Sequence, residues 1–273
     1  MGGNDGKGMQ KITIKDIARE AKVSVATVSY IINGVHEERY TLETKQKVLQ
    51  IINLYNYRPS KLAQSLANNK SNNIILLTDK HNSVLQKAES FDLIRMFGKA
   101  LEKKGYSLCI RTHLDATRID TADAIVCAGI EEERFRRLAQ KNFVPMLTVD
   151  AKIHDELFFQ IWQDFAAVKA AGDKEFGNGN YSVVLVDTYS ETLKAEIRKT
   201  FPQAVFLGEN TLEAVPQGNI VTVNASLTKL AELKDRTFLL LPALTDERIA
   251  AILECLRLAT EREKVESHIV LVK

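Results

Sequence analysis

The sequence predicts an all-α N-terminal head, a helix-turn-helix followed by a very short helix, and then an α/β body with parallel sheets. Three observations predict it. Three short capped helical patterns follow one another within residues 13–55. From residue 73 the pattern changes to apolar runs alternating with longer amphipathic stretches, which is the signature of parallel α/β layers. The charge is also uneven. Residues 9–72 carry ten basic against five acidic side chains, and residues 73–273 carry 26 against 29. A basic head on a mildly acidic body points to a polyanion-binding head, although a solvated basic face would have the same composition.

Composition bounds the rest. With 45% hydrophobic and 26% charged residues over 273 positions, the chain is globular rather than disordered or collagen-like. No apolar run approaches the roughly 20 residues that span a bilayer. The start, MGGNDGKGMQK, has no apolar core, so no secretory signal is expected. Residues 1–8 read as a leader or a remnant of expression. Cys109, Cys127 and Cys255 form no CxxC pair; buried hydrophobe is their expected role and the cytoplasm the expected compartment.

Each head element has a start signal. Thr13 caps the first helix, with Asp16 three residues on to close a capping box; Ile14, Ile17, Ala18 and Ala21 form its apolar stripe. Ser24 caps the second, residues 25–32, with Val25, Val28 and Ile31 or Ile32 inward. Thr41 caps the third, residues 42–55, striped by Val48, Ile51, Ile52 and Tyr55. Only Lys22 and Val23 separate Ala21 from the Ser24 cap, the tight joint of a helix-turn-helix. Pro59 stops the third helix. Ser60 caps a very short helix, 61–67, and NNKSNN reads as a linker. The segments are thus 9–58 (helix-turn-helix head), 59–72 (short helix and linker) and 73–273 (α/β body). In the body, strands are expected at 74–77, 107–111, 124–128, 145–149, 182–187, 204–207, 220–223, 238–241 and 268–272. Helices are expected at 84–103, 131–140, 165–175, 190–200 and 246–262.

KITIKDIAREAKVSVATVSYIIN followed by NYRPSKLAQSLANNKS resembles the head and hinge of the lactose-repressor (LacI/GalR) family over residues 11–71. The body resembles the family's periplasmic-binding-protein-like (type I) domain more weakly, through Asp79, Asn82, Gly105-Tyr106, Asp123, Pro145 to Asp150, Asp164 and Thr245-Asp246; this resemblance implies two lobes, at about 73–162 and 163–273, behind a DNA-binding head and hinge. The resemblance implies a transcription regulator, a repressor by type, that is a homodimer or a tetramer. It would bind a near-palindromic double-stranded operator, with a sugar-like effector between the lobes. No cofactor is implied. It places Thr13, Ser24, Val25, Ala26, Thr27, Ser29, Tyr30, Asn33 and Tyr57 at DNA. Ser60, Ala63, Gln64 and Leu66 belong to a hinge helix that would fold in the minor groove, with Leu66 wedged between base steps; packing of Leu66 under its own domain is the competing reading.

The physics of the head agrees with this. A second helix of this type enters the major groove, where base pairs differ in donor and acceptor pattern. Val25 and Ala26 suit thymine methyls, and Thr27 and Ser29 suit phosphates or base edges. Tyr30 stands where relatives often carry Arg or His and cannot make Arg's forked contact with guanine. The loop GVHEERYT is about two residues longer than the family pattern; it contacts DNA through His36, Arg39 and Tyr40 or is a surface loop.

For an effector, the candidates are Asp79, His81 and Asn82 after the first strand, Trp162 and Asp164 at the crossover, Asp187 and Asp246. The competing readings are packing for Trp162 and helix capping for Asp187 and Asp246. The family pattern is eroded: no Arg precedes a Gly-aromatic pair in DTYSETLKAEIRKTF, and Phe165 follows Asp164 where Asn is usual. The chain ends at HIVLVK, which predicts that the final strand crossing back to the first lobe is absent. A regulator answering to a protein partner instead of a small molecule is the alternative, ahead of a sugar-binding protein without DNA or an enzyme. No catalytic residue is assigned: GNG at 177–179 precedes a strand, and no P-loop, G-x-S-x-G or H-E-x-x-H occurs. The five histidines lack metal-ligand spacing.

Overall fold

The computed structural model describes residues 12–55, 57, 71–78, 83–112, 118–119, 121–208, 212–230 and 233–273. The chain divides into two compact units, Met1–Asn69 and Lys70–Lys273.

The first unit is helical: α1 (Ile14–Ala21), α2 (Val25–Asn33), a 3₁₀ turn (Glu37–Arg39) and α3 (Leu42–Leu54). The expected caps form. The Asp16 carboxylate accepts from the Thr13 N–H at 2.9 Å and from its hydroxyl at 2.7 Å. Ser24 Oγ accepts from Thr27 N–H at 3.0 Å, and Thr41 Oγ1 from Thr44 N–H at 3.2 Å. Each satisfies a helix-start donor that has no partner within the helix. Lys22 closes α1 in the left-handed region at φ 57, which makes the two-residue joint possible. Ile17, Ala18, Ala21, Val28, Ile31 and Val48 form the buried core. The hinge at 60–67 lies outside the described residues.

The second unit holds two parallel sheets. Its strands are β1 (Asn73–Thr78), β2 (Ser107–Arg111), β3 (Ala124–Ala128), β4 (Met146–Val149), β5 (Phe159–Gln163), β6 (Ser182–Val186), β7 (Val205–Leu207), β8 (Asn219–Thr222), β9 (Thr237–Leu240) and β10 (Ile269–Val272). The helices are α4 (Val84–Lys103), α5 (Glu132–Ala139), α6 (Phe165–Phe176), α7 (Glu191–Thr200) and α8 (Asp246–Glu261). The first sheet runs β10-β5-β4-β3-β1-β2, the second β7-β6-β8-β9. Alternation along the strands sorts the first sheet's two faces. Ile74, Leu76, Ala124 and Val126 pack with Phe97 of α4 and Ile252 of α8; Ile75, Leu77, Ile125 and Cys127 pack with Phe135 and Leu138 of α5. In the second lobe, Val168 of α6 and Leu193 and Ile197 of α7 share a core with Val183, Leu185 and Val221.

Two expectations are corrected. The final strand is present: β10 returns to the first sheet, where Ile269 to Val272 pair in parallel with Gln160 to Gln163. The lobes therefore do not divide at 162/163 through to the end. α8 packs Ile249, Ile252, Cys255 and Leu256 into the first lobe's core, so the chain from 246 onward belongs to that lobe. The physical reason is the apolar face of α8, which covers the same sheet face as α4. The structure also adds β5, a strand the sequence pattern does not announce. Gln160 interrupts its apolar run yet is fully buried, because its amide bonds the loop before it: Oε1 accepts from Ile153 N–H at 2.9 Å, and Nε2 donates to the Asp155 carbonyl at 2.9 Å.

Candidate functional site

Two surfaces carry candidate function, one in each unit. On the head, the expected contact residues Ser24, Val25, Ala26, Thr27, Ser29, Tyr30 and Asn33 lie on α2 and its cap. Val28 and Ile31 turn into the core. This leaves Val25 and Ala26 exposed and Thr27, Ser29 and Tyr30 half-exposed. The hydroxyls of Ser24 and Thr27 lie 2.9 Å apart. Asn33 Nδ2 turns back to the Ser29 carbonyl at 2.9 Å, so its amide is engaged within its own helix. Thr13 is exposed at the α1 cap. Tyr57 packs against the head core, and burial raises its phenol pKa. Ser60, Ala63, Gln64 and Leu66 lie outside the described residues.

In the body, a cleft of about 150 Å³ opens between the lobes. Gln86 and Glu89 of α4, Asp150 after β4, Gln163 ending β5 and Arg248 of α8 reach it from the first lobe; Asp187 and Asn224 reach it from the second. All follow or flank the carboxyl ends of parallel strands, where such sheets place ligands. Arg248 is 1% exposed. Its Nη2 lies 2.5 Å from Asp150 Oδ1, and its Nη1 donates to the Ala243 carbonyl at 3.0 Å. A buried guanidinium needs such partners to offset its lost hydration. Asp150 presents its carboxylate from left-handed backbone, φ 52. Gln163 Oε1 is buried and makes no hydrogen bond among the described residues. That leaves one acceptor at the cleft for a ligand donor or a water.

Cross-lobe bonds frame the cleft. Gln86 Nε2 donates to the Asp187 carbonyl at 3.1 Å. Glu89 Oε1 accepts from Ser226 N–H at 3.0 Å and from its hydroxyl at 2.5 Å. Lys152 Nζ meets Glu196 Oε2 at 2.6 Å, and the Thr192 hydroxyl donates to the Lys152 carbonyl. Behind Asp187, Lys194 lies 2.7 Å from Asp187 Oδ1 and 2.7 Å from Glu191 Oε1. Burial works to lower its ammonium pKa, and these bonds outweigh it, so the net direction is up.

Of the described effector candidates, only Asp187 lines the cleft. Trp162 is buried with Val168 and Val183 in the second lobe's core. Asp164 caps α6, accepting from Ala166 and Ala167 N–H at 3.0 and 3.1 Å. Asp246 is the first residue of α8, whose cap is Thr245. Asp79, His81 and Asn82 lie outside the described residues. The sequence reading missed Gln86, Glu89, Gln163 and Arg248. The capping box of Ser83 and Gln86 was the available signal for the first of these. Arg248 had none, because an Arg in the first turn of a helix normally reads as solvated.

The signature described as bacterial regulatory proteins of the lacI family matches residues 13–60. Catabolite control protein A of Staphylococcus aureus is 43% identical over 72 residues, 26% of this chain and 21% of that protein. The fructose operon regulatory protein of Vibrio cholerae is 28% identical over 211 residues, 71% of this chain and 63% of that protein. Both matches thus span less than two thirds of the relative's length. Among solved structures, the lac repressor dimer bound to operator and the anti-inducer ONPF superposes with a TM-score of 0.63 at 15% identity, covering 96% of each chain. The lac repressor bound to ONPG superposes at 0.64 with 14% identity, covering 96% of this chain and 97% of that one. At those identities the likeness is one of fold.

Proposed function

We infer that this chain, whose head belongs to the lacI family of bacterial regulatory proteins, is a sequence-specific DNA-binding transcription regulator that works as a repressor. It acts in the cytoplasm as a homodimer on a near-palindromic operator. A small, sugar-like molecule between the lobes changes its affinity for DNA. The observation that carries the reading is the head: a capped, tightly jointed helix pair whose second helix keeps Val25, Ala26, Thr27, Ser29 and Tyr30 toward solvent. The relatives named with it are regulators rather than enzymes.

The test is duplex binding by the full chain. Selection from a random library is expected to return a two-fold symmetric site, bound by two chains. Affinity for that site is expected to fall by orders of magnitude between about 50 and 200 mM salt, as phosphate neutralisation requires. Failure to bind any duplex at low salt would overturn the reading. The hinge adds a second readout. Leu66→Ala is expected to weaken the best site at least tenfold (about 1.4 kcal/mol) while leaving non-specific binding unchanged, because a wedge acts only on a kinked step.

A further inference from the structure

The loop after α2 folds back over Tyr30. Gly34 ends the helix at φ 63, a left-handed turn that costs glycine little. Val35 N–H then donates to the Tyr30 carbonyl at 3.0 Å, and His36 sets its ring edge-on to Tyr30 with centroids 4.7 Å apart. The 3₁₀ turn that follows carries the Arg39 guanidinium back over the same ring. Its central carbon is 5.8 Å from the ring centroid, and Nη1 is 3.5 Å from the Tyr30 hydroxyl. The loop is pinned at its far side as well: Lys45 Nζ holds Glu37 at 2.9 Å, and Tyr40 packs against the head core. Arg39 nevertheless keeps 59% of its side chain exposed.

We propose that Arg39, seated on the Tyr30 ring, is a specificity-determining residue that reads a guanine in the major groove beside α2. This rests on the DNA-binding reading above. The exposed face of α2 offers methyls, small hydroxyls, one phenol and the Asn33 amide, which turns back to the Ser29 carbonyl, but no guanidinium. Guanine presents two neighbouring acceptors, O6 and N7, and a planar guanidinium is the side chain that matches both. Among the described head residues the other arginine is Arg19, which meets Asp16 at 2.7 Å on α1. Stacking on Tyr30 narrows the rotamers of Arg39 before DNA arrives, which lowers the entropy cost of a fixed contact. The charge around it argues against a mere phosphate grip. Glu37 and Glu38 directly precede Arg39, so the loop attracts a polyanion weakly and its value lies in position. The Glu38 contact is to Nε, at 3.6 Å; an exposed pair of this kind contributes little and yields readily.

The experiment is site selection with the full chain as wild type, Arg39→Lys and Arg39→Ala. Wild type is expected to fix a guanine at one position of each half-site. Both variants are expected to lose that base alone, keep the rest of the site, and bind the wild-type site about 10- to 100-fold more weakly. Lysine keeps the charge but not the fork, so its failure to rescue is the signature of base reading. Equal weakening on every sequence, with the salt slope reduced by about one, would mark a phosphate contact and overturn the proposal. So would an unchanged site preference in Arg39→Ala. If wild type itself selects no sequence, the regulator reading fails and this proposal with it; a wild-type site that survives both variants removes only the role of Arg39.

Discussion

Arg248 and Asp150 stand 98 residues apart in sequence, yet their pairing sets the charge at the floor of the cleft. No periodicity could announce such a pair, because it depends on how α8 docks against the sheet whose strand β4 ends just before Asp150. By contrast, local residue roles were legible. Thr13, Ser24 and Thr41 cap the helices that their spacing from the following residues predicts, since a cap bond closes over three residues of chain. The cysteines fall between these cases. Cys127 and Cys255 were readable as buried hydrophobes from the apolar runs around them. Burial pushes each thiol up to about 12, far above the pH at which a thiolate would react. Cys109 is only half-buried on β2. Iodoacetamide on the native chain at pH 7.5 is therefore expected to label Cys109 first and leave Cys127 and Cys255 unmodified until the protein unfolds. Mass mapping of the alkylated peptides checks this, and early labelling of Cys127 would contradict its place in the sheet core.

Elements with a strong period were read to within a residue or so. α4 was expected at 84–103 and occupies Val84–Lys103; α8 was expected at 246–262 and ends at Glu261. The failures are topological. β5 hides because Gln160 breaks its apolar run, and its burial is made acceptable only by the bonds its amide makes to the loop before the strand. β10 was recognised as a strand, but not as the sixth of the first sheet, because parallel neighbours are chosen by crossovers rather than by local pattern. Caps offer a test at this scale. Thr41 starts α3 and was not expected to touch DNA, so Thr41→Ala isolates the helix-start term. Loss of a cap costs about 1 kcal/mol, or roughly fivefold in local opening. Hydrogen exchange of the full chain should show the α3 amides about fivefold less protected, with β3 and β4 unaffected. A uniform loss across the body would mean that Thr41 acts on more than its own helix.

At the scale of the whole molecule, the body is two lobes bridged by polar contacts around a small cleft, and the bridges decide what a ligand can do. Glu89 of α4 holds two donors of Ser226 across the gap, while Leu85, one turn earlier, packs into the second lobe's core. One end of α4 thus belongs to each lobe, so a change in lobe angle must move this helix against one of its cores. A molecule that enters the cleft and bonds Gln163 Oε1 from between the lobes would stabilise the arrangement in which the lobes are bridged, and by linkage the folded state. At a concentration 100 times its Kd it contributes about 2.7 kcal/mol, which for a body of this size corresponds to a rise in Tm of roughly 5–10 °C. Thermal melts of the full chain against a panel of neutral mono- and disaccharides and their phosphates measure this directly. The stabilising compound should lose most of its effect in Gln163→Leu, which keeps the apolar bulk of the side chain and deletes the acceptor. It should also change operator affinity in the wild type. If no compound of the panel raises Tm while operator binding is intact, small-molecule control at this cleft is lost as an account of the protein. Regulation through a protein partner then takes its place.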